Sequence, residues 1–139
     1  MATLKLEIVT PEGQAYADDV EMVVLPAAEG EIGIYPGHVP LMTQLLPGEL
    51  RISKAGKTDE LVVGAGFVEI TAERVSVLTD MALGDEKINE TAAEEAVERA
   101  QTALKDKTLS SDDAAELEAA LARSMAQIRF KRRRQGGRH

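Results

Sequence analysis

The segment Gly30–Gly48, GEIGIYPGHVPLMTQLLPG, constrains the fold more than any other part of the chain. Gly30, Gly33, Gly37 and Gly48 allow backbone angles that other residues resist, whereas Pro36, Pro40 and Pro47 fix φ and disfavour helix at the residue before each. A long helix is excluded here, and the punctuation predicts short extended pieces joined by fixed turns. Ile32, Ile34, Tyr35, Val39, Leu41, Met42, Leu45 and Leu46 are expected to tie those pieces to a core. Glu31 and His38 are left as the polar groups at the turns.

Around this segment the pattern is one of strands. Leu4, Leu6 and Ile8 alternate with Lys5 and Glu7, a period of two that predicts a half-buried strand ending at Pro11-Glu12-Gly13. Further strands are expected over Gln14 to Ala17 and Val20 to Leu25. Beyond Gly48, Glu49 to Ser53 and Glu60 to Val63 flank Lys54-Ala55-Gly56-Lys57, which has the length and glycine placement of a hairpin connection. Phe67 to Ile70 and Val75 to Leu78 form another hairpin across Thr71 to Arg74. Eight to ten short strands at turn spacing are the pattern of a β-sandwich or barrel, and an antiparallel β-sandwich domain is expected over residues 1–84. Within it Gly64-Ala65-Gly66 reads as a close backbone approach, since no Gly-Lys-Ser/Thr and no helix follows it.

Near Gly84 the period changes, and residues 85–139 read as a second unit, a two-helix antiparallel hairpin. Thr91-Ala92-Ala93-Glu94 fits a capping box, with Asn89 as the competing cap. Ala93, Ala96, Val97, Ala100, Ala103 and Leu104 then recur at three and four residues as one apolar stripe. Ser110 or Ser111 caps the second helix, whose stripe is expected to be Ala114, Leu117, Leu121, Met125 and Ile128. So few large side chains do not offset an ordering cost of about 1–2 kcal/mol per residue, so the hairpin depends on docking.

Charge is distributed unevenly. The net charge is −8, yet Arg129, Lys131, Arg132, Arg133, Arg134 and Arg138 follow one another with no acidic residue among them. An acidic body thus carries a basic tip. Cations at a helix C-terminus are favoured by the dipole, which accounts for part of that tip without any partner. A nucleic-acid-binding module using the tail is an alternative, weakened because the acidic body repels a polyanion over any broad footprint.

Several chemistries are excluded or disfavoured. The chain has no cysteine, which removes disulfides and thiol catalysis, and its two histidines, His38 and His139, cannot by themselves build a zinc site. Glu31 and His38 could be an acid and base in one loop, but no nucleophile or orienting group stands near them in the sequence, so a solvated or contact role is expected. No run approaches the roughly 18 apolar residues of a membrane span, and the alternating N-terminus lacks a signal-peptide stretch, so a soluble, untargeted chain is expected.

The twelve positions Gly30 to Leu41 resemble the signature Gly-Glu-(Leu/Ile)-Gly-Ile-x-Pro-Gly-His-x-Pro-Leu of the epsilon subunits of F-type, proton-translocating ATP synthases. The order of strands followed by two helices is similar to that family across the whole chain. The resemblance implies a non-catalytic rotor subunit with no cofactor, partnered by the gamma subunit and the c-ring of the membrane sector, and conditionally by the alpha and beta subunits of the catalytic head. Glu31 and His38 match positions that touch the c-ring in the family. Arg123, Arg129, Lys131, Arg132, Arg133 and Arg134 are the expected inhibitory contacts with the catalytic subunits. It further implies no nucleic acid, no insertion into the membrane, and a peripheral place on the cytoplasmic face of a bacterial inner membrane. The family's ATP-binding pattern, Ile/Leu-Asp-x-x-Arg-Ala, here reads Ile88-Asn89-Glu90-Thr91-Ala92-Ala93, departing at Asn89 and Ala92.

Overall fold

The computed structural model describes residues 2–136; Arg138 and His139, at the end of the basic tip, lie outside the described residues. Five strands come first: β1 (Leu4–Thr10), β2 (Gly13–Val20), β3 (Met22–Ala27), β4 (Gly30–Ile34) and β5 (Leu41–Leu45). Then follow β6 (Gly48–Lys54), β7 (Lys57–Val63), β8 (Gly66–Ile70), β9 (Arg74–Thr79) and the two-residue β10 (Ala82–Leu83). A single 3-10 turn over Asp85–Lys87 leads to α1 (Glu90–Leu104) and α2 (Ser111–Gly136).

The strands hydrogen-bond in the order β10-β7-β6-β3-β5-β8-β9-β1-β2, with β4 on β3 beside that path. The β3–β5 link is a single pair, Ala27 with Leu45, and there the sheet folds over into the two layers of a sandwich. The pairing is antiparallel except between β1 and β9, where Leu6 lies beside Val75 and Ile8 beside Val77 in parallel. That parallel pair brings the N-terminal strand alongside β9, and no local hairpin signal announces such a distant pairing.

Alternation decides the core. Leu4, Leu6 and Ile8 of β1, Val23 and Leu25 of β3, and Val75 and Val77 of β9 point inward at full burial. The two-residue connection Ala55–Gly56 has φ of 53° and 77°, the doubly positive turn that matches strand twist and closes β6 onto β7.

The Gly/Pro segment keeps its expected extended pieces, β4 and β5, but not its expected burial. Only Ile34 and Leu45 of its apolar residues are fully buried, and Ile32 packs partly against the core. Tyr35, Val39, Leu41, Met42 and Leu46 are exposed. The alternation of two short strands can turn only every second residue inward, and the turn between them lies outside the sandwich.

Helix capping is also settled. Asn89, not Thr91, starts α1: its side chain accepts from the Ala92 N–H at 3.0 Å, so Glu90 joins the first turn. Ser110 caps α2, its hydroxyl accepting from the Asp113 N–H at 3.1 Å. The α1 stripe is as expected, with Ala93 and Ala100 fully buried. The α2 stripe holds at Ala114, Leu117, Leu121 and Ile128, which are half-buried, but not at Met125, which is exposed, and Ser124, Ala126 and Phe130 are buried outside it. This helix has two neighbours, α1 and the sheet, so one stripe cannot describe it.

Candidate functional site

Two surface regions concentrate chemistry, one on the sandwich and one where α2 lies against it. The first begins at the turn after β4. Tyr35-Pro36-Gly37-His38 closes with the His38 N–H donating to the Tyr35 carbonyl at 3.2 Å, and Gly37 has φ of 87°. Proline followed by a residue of positive φ is the pattern of a type II turn, so this backbone is set before any partner arrives. The Gly37 N–H also donates to the Ala72 carbonyl at 2.8 Å, fastening this turn to the one between β8 and β9.

Glu31 and His38 do not form a pair. Glu31 stands opposite Pro26, near the start of β4, and accepts from Arg51 Nη2 at 2.8 Å. His38 lies beyond the other end of that strand, its Nδ1 2.6 Å from the Val39 carbonyl. The stretch from Glu31 to Ile34 alone separates the two ends by about 10 Å. An acid–base reading of these two groups therefore has no geometry behind it.

On the outer face of the same layer lies a row that the sequence reading did not single out. Phe67 of β8 faces Gln44 of β5 on one side and Leu78 of β9 on the other, and Leu78 faces Val9 of β1. Met42, Phe67 and Leu78 are 67%, 62% and 57% exposed. They line a shallow apolar depression of about 290 Å³ with Val9. The available signal was Phe67 sharing the polar face of its strand with Glu69 while Val68 and Ile70 face the core. One exposed aromatic residue on a strand is ordinary, but here Phe67 joins Met42 and Leu78 in one contiguous exposed patch.

The second region is the docked end of α2. Phe130 is 0% exposed and sits in a cluster with Val62, Met81, Ile88 and Ala126. In the sequence Phe130 stands between Arg129 and Lys131, inside the basic tail, which gives no sign of this burial. Around this plug the cations pair with the chain's own carboxylates. Arg123 Nη1 donates to Asp80 Oδ2 at 2.9 Å, while Asp80 Oδ1 is buried and unpartnered among the described residues. Lys131 donates to the Asp85 carbonyl at 3.2 Å and lies 3.4 Å from its carboxylate.

The arginines divide their partners by element. Arg132 reaches α1, donating to Glu90 at 3.2 Å and Glu94 at 3.1 Å. Arg133 reaches the sheet, donating to Glu49 on β6 at 2.6 Å and also to Glu60 on β7. The Glu49 hydrogen bond raises the Arg133 pKa above its ordinary value. Arg134 donates to Glu60 at 3.2 Å, lies 3.6 Å from Asp85, and its guanidinium sits 5.7 Å over the Phe130 ring. Arg129 is exposed. A nucleic-acid phosphate would have to displace these carboxylates, which disfavours the tail as a nucleic-acid site. Among the described residues no helix is long and apolar enough to cross a membrane.

Asn89, where the family's ATP-binding pattern departs, serves as the cap of α1.

Comparison with known proteins covers both regions. The family model for the β-sandwich domain of the ATP synthase delta/epsilon chain matches residues 3–85, and that for the long alpha-helix domain of the same chain matches residues 86–131. The ATP synthase epsilon chain of Halorhodospira halophila is 44% identical over 131 residues, spanning 93% of this chain and 92% of that one. The epsilon chain of Dehalococcoides mccartyi is 42% identical over 134 residues, 96% of each. Among solved structures, a chain of the Euglena gracilis mitochondrial ATP synthase OSCP/F1/c-ring assembly has a TM-score of 0.74 at 23% identity, covering 94% of this chain and 82% of that one. A chain of the Tetrahymena thermophila mitochondrial ATP synthase central stalk and c-ring has a TM-score of 0.56 at 12% identity, covering 96% of each. These last two are likenesses of fold.

Proposed function

Because the chain belongs to the ATP synthase delta/epsilon family, we propose that it works as a non-catalytic central-stalk subunit of a proton-translocating ATP synthase. In this role it couples rotation of the c-ring to ATP synthesis in the catalytic head and restrains ATP hydrolysis through its helices. The β-sandwich, residues 1–84, is the attachment unit, and residues 85–139 are the regulatory unit. The complex holds it at the cytoplasmic face of a bacterial inner membrane.

The observation that carries the attachment role is the exposed row of Met42, Phe67 and Leu78 on a sandwich whose core is already complete without it. An apolar patch of this kind marks a protein contact, and the gamma subunit is the partner proposed for it. Glu31 and His38, on a segment braced by Arg51 and by the Gly37–Ala72 hydrogen bond, are proposed to meet the c-ring. A preset loop loses little conformational entropy on binding, which suits a contact that bears torque.

The regulatory role rests on the tail. Arg123, Arg129, Lys131, Arg132, Arg133 and Arg134 are proposed to meet acidic segments of the alpha and beta subunits when α2 leaves the sheet. A helix of about twenty residues spans about 30 Å, enough for an extended arm to reach well beyond the sandwich. Replacing Lys131, Arg132, Arg133 and Arg134 together with Ala is expected to raise ATP hydrolysis by the assembled enzyme. Unchanged hydrolysis would remove the inhibitory role.

A further inference from the structure

The cations assigned above to the catalytic head are already engaged within the chain, and by a built surface. Glu49 on β6, Glu60 on β7 and Asp85 in the 3-10 turn come from three separate elements, yet all three turn toward one end of α2. Their side chains are only about one-fifth exposed, at 20%, 18% and 22%. Arg133 and Arg134 share Glu60 between them, one on each of its oxygens. A guanidinium N–H already donated to one of these carboxylates is not free for a carboxylate of another chain.

We propose that the acidic face formed by Glu49 and Glu60 of the sandwich is an internal competitor, occupying Arg133 and Arg134 in place of the acidic segments of a partner subunit. The inference rests on the inhibitory reading of the tail given above. Its consequence is that the strength of inhibition is set partly by residues that never touch the catalytic head. Weakening the acidic face strengthens inhibition, the opposite sign to weakening the tail.

The pairing also orders the release of the cations. Arg133 and Arg134 are held by Glu49 and Glu60 of the sheet, so lifting the hairpin as a unit frees them from those partners, whereas Lys131 is held by Asp85 of the 3-10 turn. Arg132 is held by Glu90 and Glu94 of α1, so it stays neutralised until the two helices part. Phe130 has to leave its cluster in the first of these steps, which keeps charge alone from opening the hairpin.

The test is a Glu49→Gln/Glu60→Gln variant of the full chain, compared with wild type and with Arg133→Ala/Arg134→Ala. Amide exchange of α2 in the isolated chain reads docking, and ATP hydrolysis by the reassembled synthase reads inhibition. The acidic-face variant is expected to exchange faster along α2 by about tenfold, with β-strand protection kept, and its synthase to hydrolyse ATP more slowly than wild type. The arginine variant is expected to exchange faster as well, yet to hydrolyse ATP faster. Unchanged exchange in the acidic-face variant would overturn the proposal, as would faster exchange without lower hydrolysis while the arginine variant still raises it. If the arginine variant leaves hydrolysis unchanged, the inhibitory reading itself fails and the competition falls with it, whatever the exchange shows.

Discussion

At Gly66 one hydrogen in place of a methyl decides whether two strands can pair. A Cβ there would lie 1.8 Å from the Leu78 carbonyl oxygen and 2.8 Å from the Thr79 Cα, both backbone atoms that cannot step aside. At Gly64 the nearest atom is also 1.8 Å away, but it is the Asp80 carboxylate, which can rotate. The two glycines therefore differ in what they protect. Gly66→Ala is expected to destabilise the whole sandwich by about 1–3 kcal/mol, read as a lower denaturant midpoint. Gly64→Ala is expected to leave that midpoint nearly unchanged and instead to loosen α2 through the Asp80–Arg123 pair, read as faster amide exchange in the helix. Phe130→Ala carries the same logic further: removing a fully buried ring costs about 3 kcal/mol, and the loss should appear in α2 while the sheet keeps its protection. A global loss of protection in that variant would show that sheet and helix unfold as one unit.

Strands and helices differed in how far they could be read from sequence. The hairpins over Lys54–Lys57 and Thr71–Arg74 were legible because turn residues and alternation agree locally. The parallel β1–β9 pair was not, since Leu6 and Val75 meet only through the closure of the whole sheet. Two-sided burial was written in β7, where Leu61, Val62 and Val63 run without alternation: Val63 enters the sandwich core and Val62 lies under α2. On α2 the basic residues drew attention to the tail and hid Phe130 among them. The candidate loop was legible as a segment, through its glycines and prolines, but the use of its apolar residues was not. Periodicity says which side chains share a face and leaves open whether that face meets the core or a partner. The same elements predict how the chain divides. A fragment of residues 1–84 is expected to fold and to bind a hydrophobic dye, because Val62 and Met81 lose their cover. A peptide of residues 85–139 is expected to be mostly unfolded by circular dichroism, its stripe of alanines being too small to hold two helices together. A cooperatively melting helical peptide would contradict this.

In the whole molecule, two kinds of surface lie on one small frame. The sandwich offers fixed features, a row of exposed apolar residues and turns tied down by backbone hydrogen bonds, that can bind without rearranging. The hairpin offers a conditional one, cations held by partly exposed ion pairs and a single aromatic plug. Ion pairs of that exposure weaken with salt. That division is what a rotor subunit with a regulatory arm requires. The most direct measurement is a pull-down of the full chain with the gamma subunit and detergent-solubilised c-ring, comparing wild type with Glu31→Ala/His38→Ala. Binding to gamma that persists while association with the ring weakens is the predicted result; a chain that binds neither partner would contradict the account.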